Sequence, residues 1–178
     1  MKTLVIKESA LLSVILAAIE TFKNECYLIL LGRKKGCKFI AEYAFPVQTA
    51  KRVLTGIDLI GRREKALLGA IKYLPKGFQI IGDCHSHTER GEYKYLPEPT
   101  EEDKKGMKKG SVYIIAGITT QKSAESWRNN KEGALAGTFG KNCKGRYCFE
   151  IRAFWSPEDC EAVPIDIFCP AAKRLSSA

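Results

Sequence analysis

Histidine is scarce in this chain: two occur among 178 residues, His85 and His87. That scarcity argues against phosphoesterase or nuclease centres, which use more histidines and acids, and it limits a histidine-based centre to one ion. Long apolar runs are also missing. The longest, Ala10 to Ile19, falls far short of the roughly 20 residues a membrane helix needs. The amino terminus lacks a leader pattern, because Lys7 and Glu8 precede the apolar block, so a cytoplasmic protein is expected. None of the seven cysteines, at 26, 37, 84, 143, 148, 160 and 169, forms Cys-x-x-Cys. Cys143, Cys148 and Cys160 match no zinc spacing, and the thiols read as free or structural. Internal repeats and low-complexity linkers are absent. One domain is therefore expected over residues 1–170, with a frayed tail over 171–178.

Positive charge is plentiful. The formal net charge is +9, yet the basic residues are scattered and form no stripe interleaved with aromatics. They read as a solvated surface, and nucleic acid is not the expected partner. Apolar content of 45% suits a globular core.

The pattern along the chain alternates strands and helices. Residues 1–7 read as a short edge strand. From Ser9, a fair N-cap, Leu12, Ile15, Ile19 and Phe22 mark a helix face ending near Lys23 and Asn24. Cys26 to Gly32 reads as a central strand buried on both faces, and Cys37 to Phe45 as its hairpin partner after the basic turn 33–36. Val53 to Ile60 reads as a third strand. Gly61 to Leu74 reads as a helix with Leu67, Leu68, Ile71 and Leu74 toward the core. Phe78 to Cys84 is a strand leading into the histidines, and 88–99 is a polar loop. Ser111 to Thr119, Arg146 to Trp155 and Val163 to Phe168 are further strands, while 121–144, glycine-rich and polar, reads as a mobile or substrate-facing segment. The order predicts an α/β or α+β domain, in three layers, around a mixed sheet.

The chemistry concentrates at Gly82-Asp83-Cys84-His85-Ser86-His87-Thr88 and Thr100-Glu101-Glu102-Asp103. In an extended segment, positions two apart point the same way. His85 and His87 can thus reach one ion while Ser86 points away. Asp103 offers a carboxylate from the first turn of the next helix. Three protein ligands leave a fourth position open, the arrangement of a catalytic zinc site. Glu25, at the mouth of an apolar strand, is the candidate general base; a solvated glutamate at a strand end is the plainer reading. Likewise Thr-x-x-Asp is also an ordinary helix cap.

His85-Ser86-His87 followed by Thr100-x-x-Asp103 resembles the His-x-His…Ser-x-x-Asp motif of the JAMM metalloproteases in the MPN/JAB domain family, in their prokaryotic form. Glu25 to Gly32 is similar to that family's Glu-x-x-x-x-Leu-x-Gly stretch. The resemblance covers about residues 1–120. It implies the MPN/JAB, cytidine-deaminase-like α/β fold, a mixed sheet flanked by helices. It implies one zinc per chain on His85, His87 and Asp103. Glu25 would move a proton from the attacking water to the leaving amine, and Thr100, where the family has serine, would help stabilise the oxyanion. The implied reaction is hydrolysis of a peptide or isopeptide bond after the carboxy-terminal glycine of ubiquitin-like or sulfur-carrier proteins. A catalytically weak scaffold that binds a protein partner is the alternative. Three departures stand out: Thr88 replaces the usual proline, Thr100 replaces serine, and the 89–99 loop is longer.

Overall fold

The computed structural model describes residues 2–47, 51–53, 56–58, 61–75, 77–89, 96–142 and 145–175. In chain order the elements are β1 (Thr3–Ile6), α1 (Glu8–Glu20), β2 (Tyr27–Lys35), β3 (Lys38–Pro46), β4 (Lys51–Val53), β5 (Gly56–Asp58) and α2 (Gly61–Ile71). They continue with β6 (Gln79–Thr88), α3 (Glu101–Gly106), β7 (Val112–Gln121), β8 (Arg128–Asn129), β9 (Leu135–Asn142), β10 (Gly145–Trp155), β11 (Val163–Phe168) and α4 (Ala172–Leu175).

Nine strands form one mixed sheet in the order β11-β1-β3-β2-β6-β7-β10-β9-β8, and β11 also pairs with β10. Seven strands therefore close into a barrel-like ring. One edge of β10 is shared: β9 takes 145–151, and β11 takes 153–155. The mixed α/β class expected from the sequence is the class found. β1 is not an edge strand, however; it runs parallel to both β3 and β11. The expected β2–β3 hairpin is present, with Leu28, Ile29 and Leu30 buried. The single strand expected over Val53 to Ile60 is instead the small β4–β5 pair, and residues 54–55 and 59–60 lie outside the described chain.

α1 packs against β3 and β7. Its buried side is Ala10, Leu11, Val14, Ile15, Ala17 and Ala18. Of the predicted face, only Ile15 belongs to that set. The small alanines, silent in a reading of large apolar residues, allow close approach to the sheet. Ser9 does not cap the helix, which starts at Glu8; its hydroxyl donates to the Glu42 carbonyl. One continuous core joins α1 to Leu4, Ile6, Leu28, Leu30, Ile81, Ile114, Ile118, Phe149 and Ile167. A smaller cluster of Met107, Tyr113, Ile115 and Phe154 lies on the opposite face.

Three further expectations are corrected. The row on α2 is not buried: Leu68 and Leu74 are each 36% exposed, and the side chains of 62–64 lie outside the described residues. The 121–144 stretch is not wholly loop. It holds β8 and β9, and buried Trp127 stacks on Phe149 and donates its indole N–H to the Thr138 carbonyl. Gly137 serves that ring, since a Cβ there would lie 2.6 Å from it; glycine marks close packing here rather than mobility. The 171–178 tail is ordered over its described part, with Ala171, Ala172 and Leu175 buried in the main core. Cys143 falls outside the described residues, and the other six cysteines are free.

Candidate metal centre

β6 presents the histidines because it changes phase. Strict alternation would put residues 81, 83, 85 and 87 on one face. Yet Ile81 is fully buried in the α1 face, and so are Cys84 and Ser86. The β2–β6 register slips at this point: Leu30 faces Gly82, and Leu31 faces Ile80. This bulge sends Ile81 inward and turns Asp83, His85 and His87 to the opposite face. Gly82 is required for it, since a Cβ there would lie 1.5 Å from the Val112 carbonyl oxygen.

The three predicted ligands converge. One ligand atom from each of His85, His87 and Asp103 lies within 4.8 Å of the others. The two Nε2 atoms are 3.1 Å apart, and His85 Nε2 is 3.2 Å from Asp103 Oδ1. Zinc–ligand bonds of about 2.0–2.1 Å in a tetrahedron separate donor atoms by roughly 3.3 Å. The donor set and its spacing therefore fit one such ion. His87 Nδ1 lies 2.8 Å from the Leu96 carbonyl. A carbonyl only accepts, so Nδ1 carries the proton and Nε2 is left to ligate.

Thr100 and Asp103 form a reciprocal capping box at the start of α3. The Thr100 amide and hydroxyl both donate to Asp103 Oδ2, each at 2.7 Å, and the Asp103 amide donates back to Thr100 Oγ1. The cap thus engages one carboxylate oxygen and leaves Oδ1 toward His85. Thr100 is aimed at the ligand Asp103 rather than outward to a substrate.

Glu25 stands just before β2. Continuing the pairing of Tyr27 with His85 places it across from His87. Ser86 fixes this approach: its buried hydroxyl accepts from the Cys26 amide at 2.9 Å, and its own amide donates to the Cys26 carbonyl. Ser86 thus points away from the two imidazoles, as its place between them predicts.

The electrostatics match a cation site. Burial raises the Asp103 pKa, but hydrogen bonds from His85, His87 and Thr100 outweigh it and hold the carboxyl well below its usual range. Burial pushes the His87 imidazole down, while Asp103, the Leu96 carbonyl and the Glu25 charge together raise it. Asp83, which sequence reasoning missed, is pushed up to about 6 by burial, against the lowering effects of His85 and a hydrogen bond from Tyr27. Its only sequence signal was its position two residues before His85.

A mixed sheet thus carries His-x-His on one strand with a helix-capped aspartate beside it, a group that could hold one metal ion. The chain belongs to the family described as prokaryotic homologs of the JAB domain, whose model matches residues 7–130. The fold is similar to the solution structure of protein DSY2949 from Desulfitobacterium hafniense, with a TM-score of 0.59 at 15% identity, over 93% of this chain and 92% of that one. No curated protein matches the sequence. Among the described residues, no helix is long and apolar enough to cross a membrane.

Proposed function

We propose that this chain is a zinc-dependent hydrolase that cuts a peptide or isopeptide bond after the carboxy-terminal glycine of ubiquitin-like or sulfur-carrier protein conjugates. The observation that carries this reading is the three-ligand set with donor separations of 3.1 and 3.2 Å, with a carboxylate, Glu25, beside it. His85, His87 and Asp103 would hold the ion. Bound zinc would supply Lewis acidity, bringing the pKa of water to about 7.

The chain's own residues do the rest. Glu25 accepts the proton of the attacking water and returns it to the leaving amine. Ser86 holds the segment that carries Glu25. Thr100 orients Asp103 through the cap, and an oxyanion role requires its hydroxyl to turn from that carboxylate. Thr88 keeps the strand extended beside His87, and its buried hydroxyl has no partner among the described residues.

The test is zinc content together with cleavage of a fusion ending in Gly-Gly. One zinc per chain is expected, and Glu25→Gln should keep the metal while losing about 10²-fold or more in rate. Cleavage at wild-type rate by that variant would remove Glu25 from the mechanism. Zinc binding without any cleavage would favour a scaffold that binds a protein partner.

A further inference from the structure

The loop that orients two of the three ligands is itself held by a residue outside the family-matched segment. Arg152 pairs with Ile115, and Ile115 with His85. The row His85–Ile115–Arg152 thus crosses the site face over two strand spacings, roughly 10 Å. The Arg152 guanidinium binds three carboxylates: Glu98 through Nη1, Glu132 through Nη2, and Glu150 through Nε and Nη2. Glu98 lies in the 96–100 segment, between Pro97 and Pro99. That segment gives the Leu96 carbonyl to His87 and the Thr100 cap to Asp103. The prolines limit backbone freedom, so a shift at Glu98 is transmitted to both neighbours.

We infer that Arg152 is a positioning residue: by holding Glu98 it fixes the segment that orients His87 and Asp103. The inference rests on the metal-centre reading above. Without the guanidinium, Glu98, Glu132 and Glu150 repel one another, and Glu98, half exposed at the surface, loses the ion pair that ties its segment to β10. The matched family segment ends at residue 130, so the clamp on the site comes from the part of the chain beyond it.

The experiment is zinc affinity by chelator competition for the wild type, Arg152→Gln, Glu98→Gln, the double variant and a remote ion-pair control, Arg174→Gln, whose partner is Glu8. Each single change at the clamp should weaken zinc binding about tenfold. The double variant should lose no more than either single one, and the control should bind as the wild type. Arg152→Lys should recover part of the loss. Wild-type affinity in both clamp variants, or independent losses that multiply, would overturn the inference. If Arg152→Gln does not fold, Glu98→Gln carries the test. If the wild type binds no zinc, the metal reading fails on its own. The clamp is then read from amide exchange at Leu96, Glu98 and Thr100 in Glu98→Gln and Arg152→Gln: faster exchange supports it, and unchanged exchange overturns it.

Discussion

Gly82 lies against Val112 so closely that a methyl group at its Cβ position would sit 1.5 Å from the Val112 carbonyl oxygen. That contact is where β6 shifts phase and the histidines leave the core face. Gly82→Ala must therefore separate β6 from β7 or undo the bulge. The expected cost is on the order of 3 kcal/mol or more, read by urea denaturation, with loss of zinc binding in any folded fraction. A stable Gly82→Ala protein with normal zinc affinity would show that the bulge does not set the histidines' direction.

Thr100 can be assigned to ligand or substrate by two substitutions. Thr100→Ala removes the cap, at about 1 kcal/mol, and should weaken zinc binding about tenfold because Oδ2 loses a donor. Thr100→Ser should restore both. A lower kcat at unchanged zinc affinity would instead place the hydroxyl on the substrate.

Ser86→Ala removes the hydroxyl that accepts from the buried Cys26 amide. Losing that hydrogen bond costs about 1 kcal/mol. Because Cys26 adjoins Glu25, the variant should also lose rate while retaining zinc. Loss of zinc with normal turnover per bound ion would contradict that split.

The response to pH follows from His87. Its pKa is raised above 6.5. In the metal-free protein the protonated pair with Asp103 stabilises the fold fully below about 6.5, and this is lost as pH rises through the raised value. Asp103 has the opposite sign: its depressed pKa contributes stability above about 3.8 that is lost only as pH falls well below it. Zinc needs a neutral imidazole. The zinc-induced rise in Tm should therefore grow between about pH 5.5 and 8, while the metal-free Tm loses the His87 contribution. A zinc shift independent of pH would remove His87 from the ligand set.

Much of this centre was legible in the chain. Period-two spacing put His85 and His87 on one side, and Thr-x-x-Asp placed Asp103 in a first helical turn, where the capping box is found. The bulge was not legible, because Gly82 looks like any strand glycine until the Val112 backbone is beside it. The Leu96 carbonyl and the Arg152 clamp were hidden for another reason. They are contacts between residues 9 and 54 positions apart, and side-chain type says nothing of where a loop returns. The α1 stripe differs from the expected one because alanines make half of its buried face.

β11 pairs with β1 and β10, and Arg174 reaches Glu8 at 2.6 Å. During translation β1 therefore emerges first and waits for a neighbour made about 160 residues later (163 − 3). Until then one side of β1 and part of β10 are open strand edges, the kind that pair with other chains. A protein truncated before residue 163 should aggregate even though His85, His87 and Asp103 are all present, while a circular permutant that joins the β1 and α4 ends and opens elsewhere should resist that aggregation.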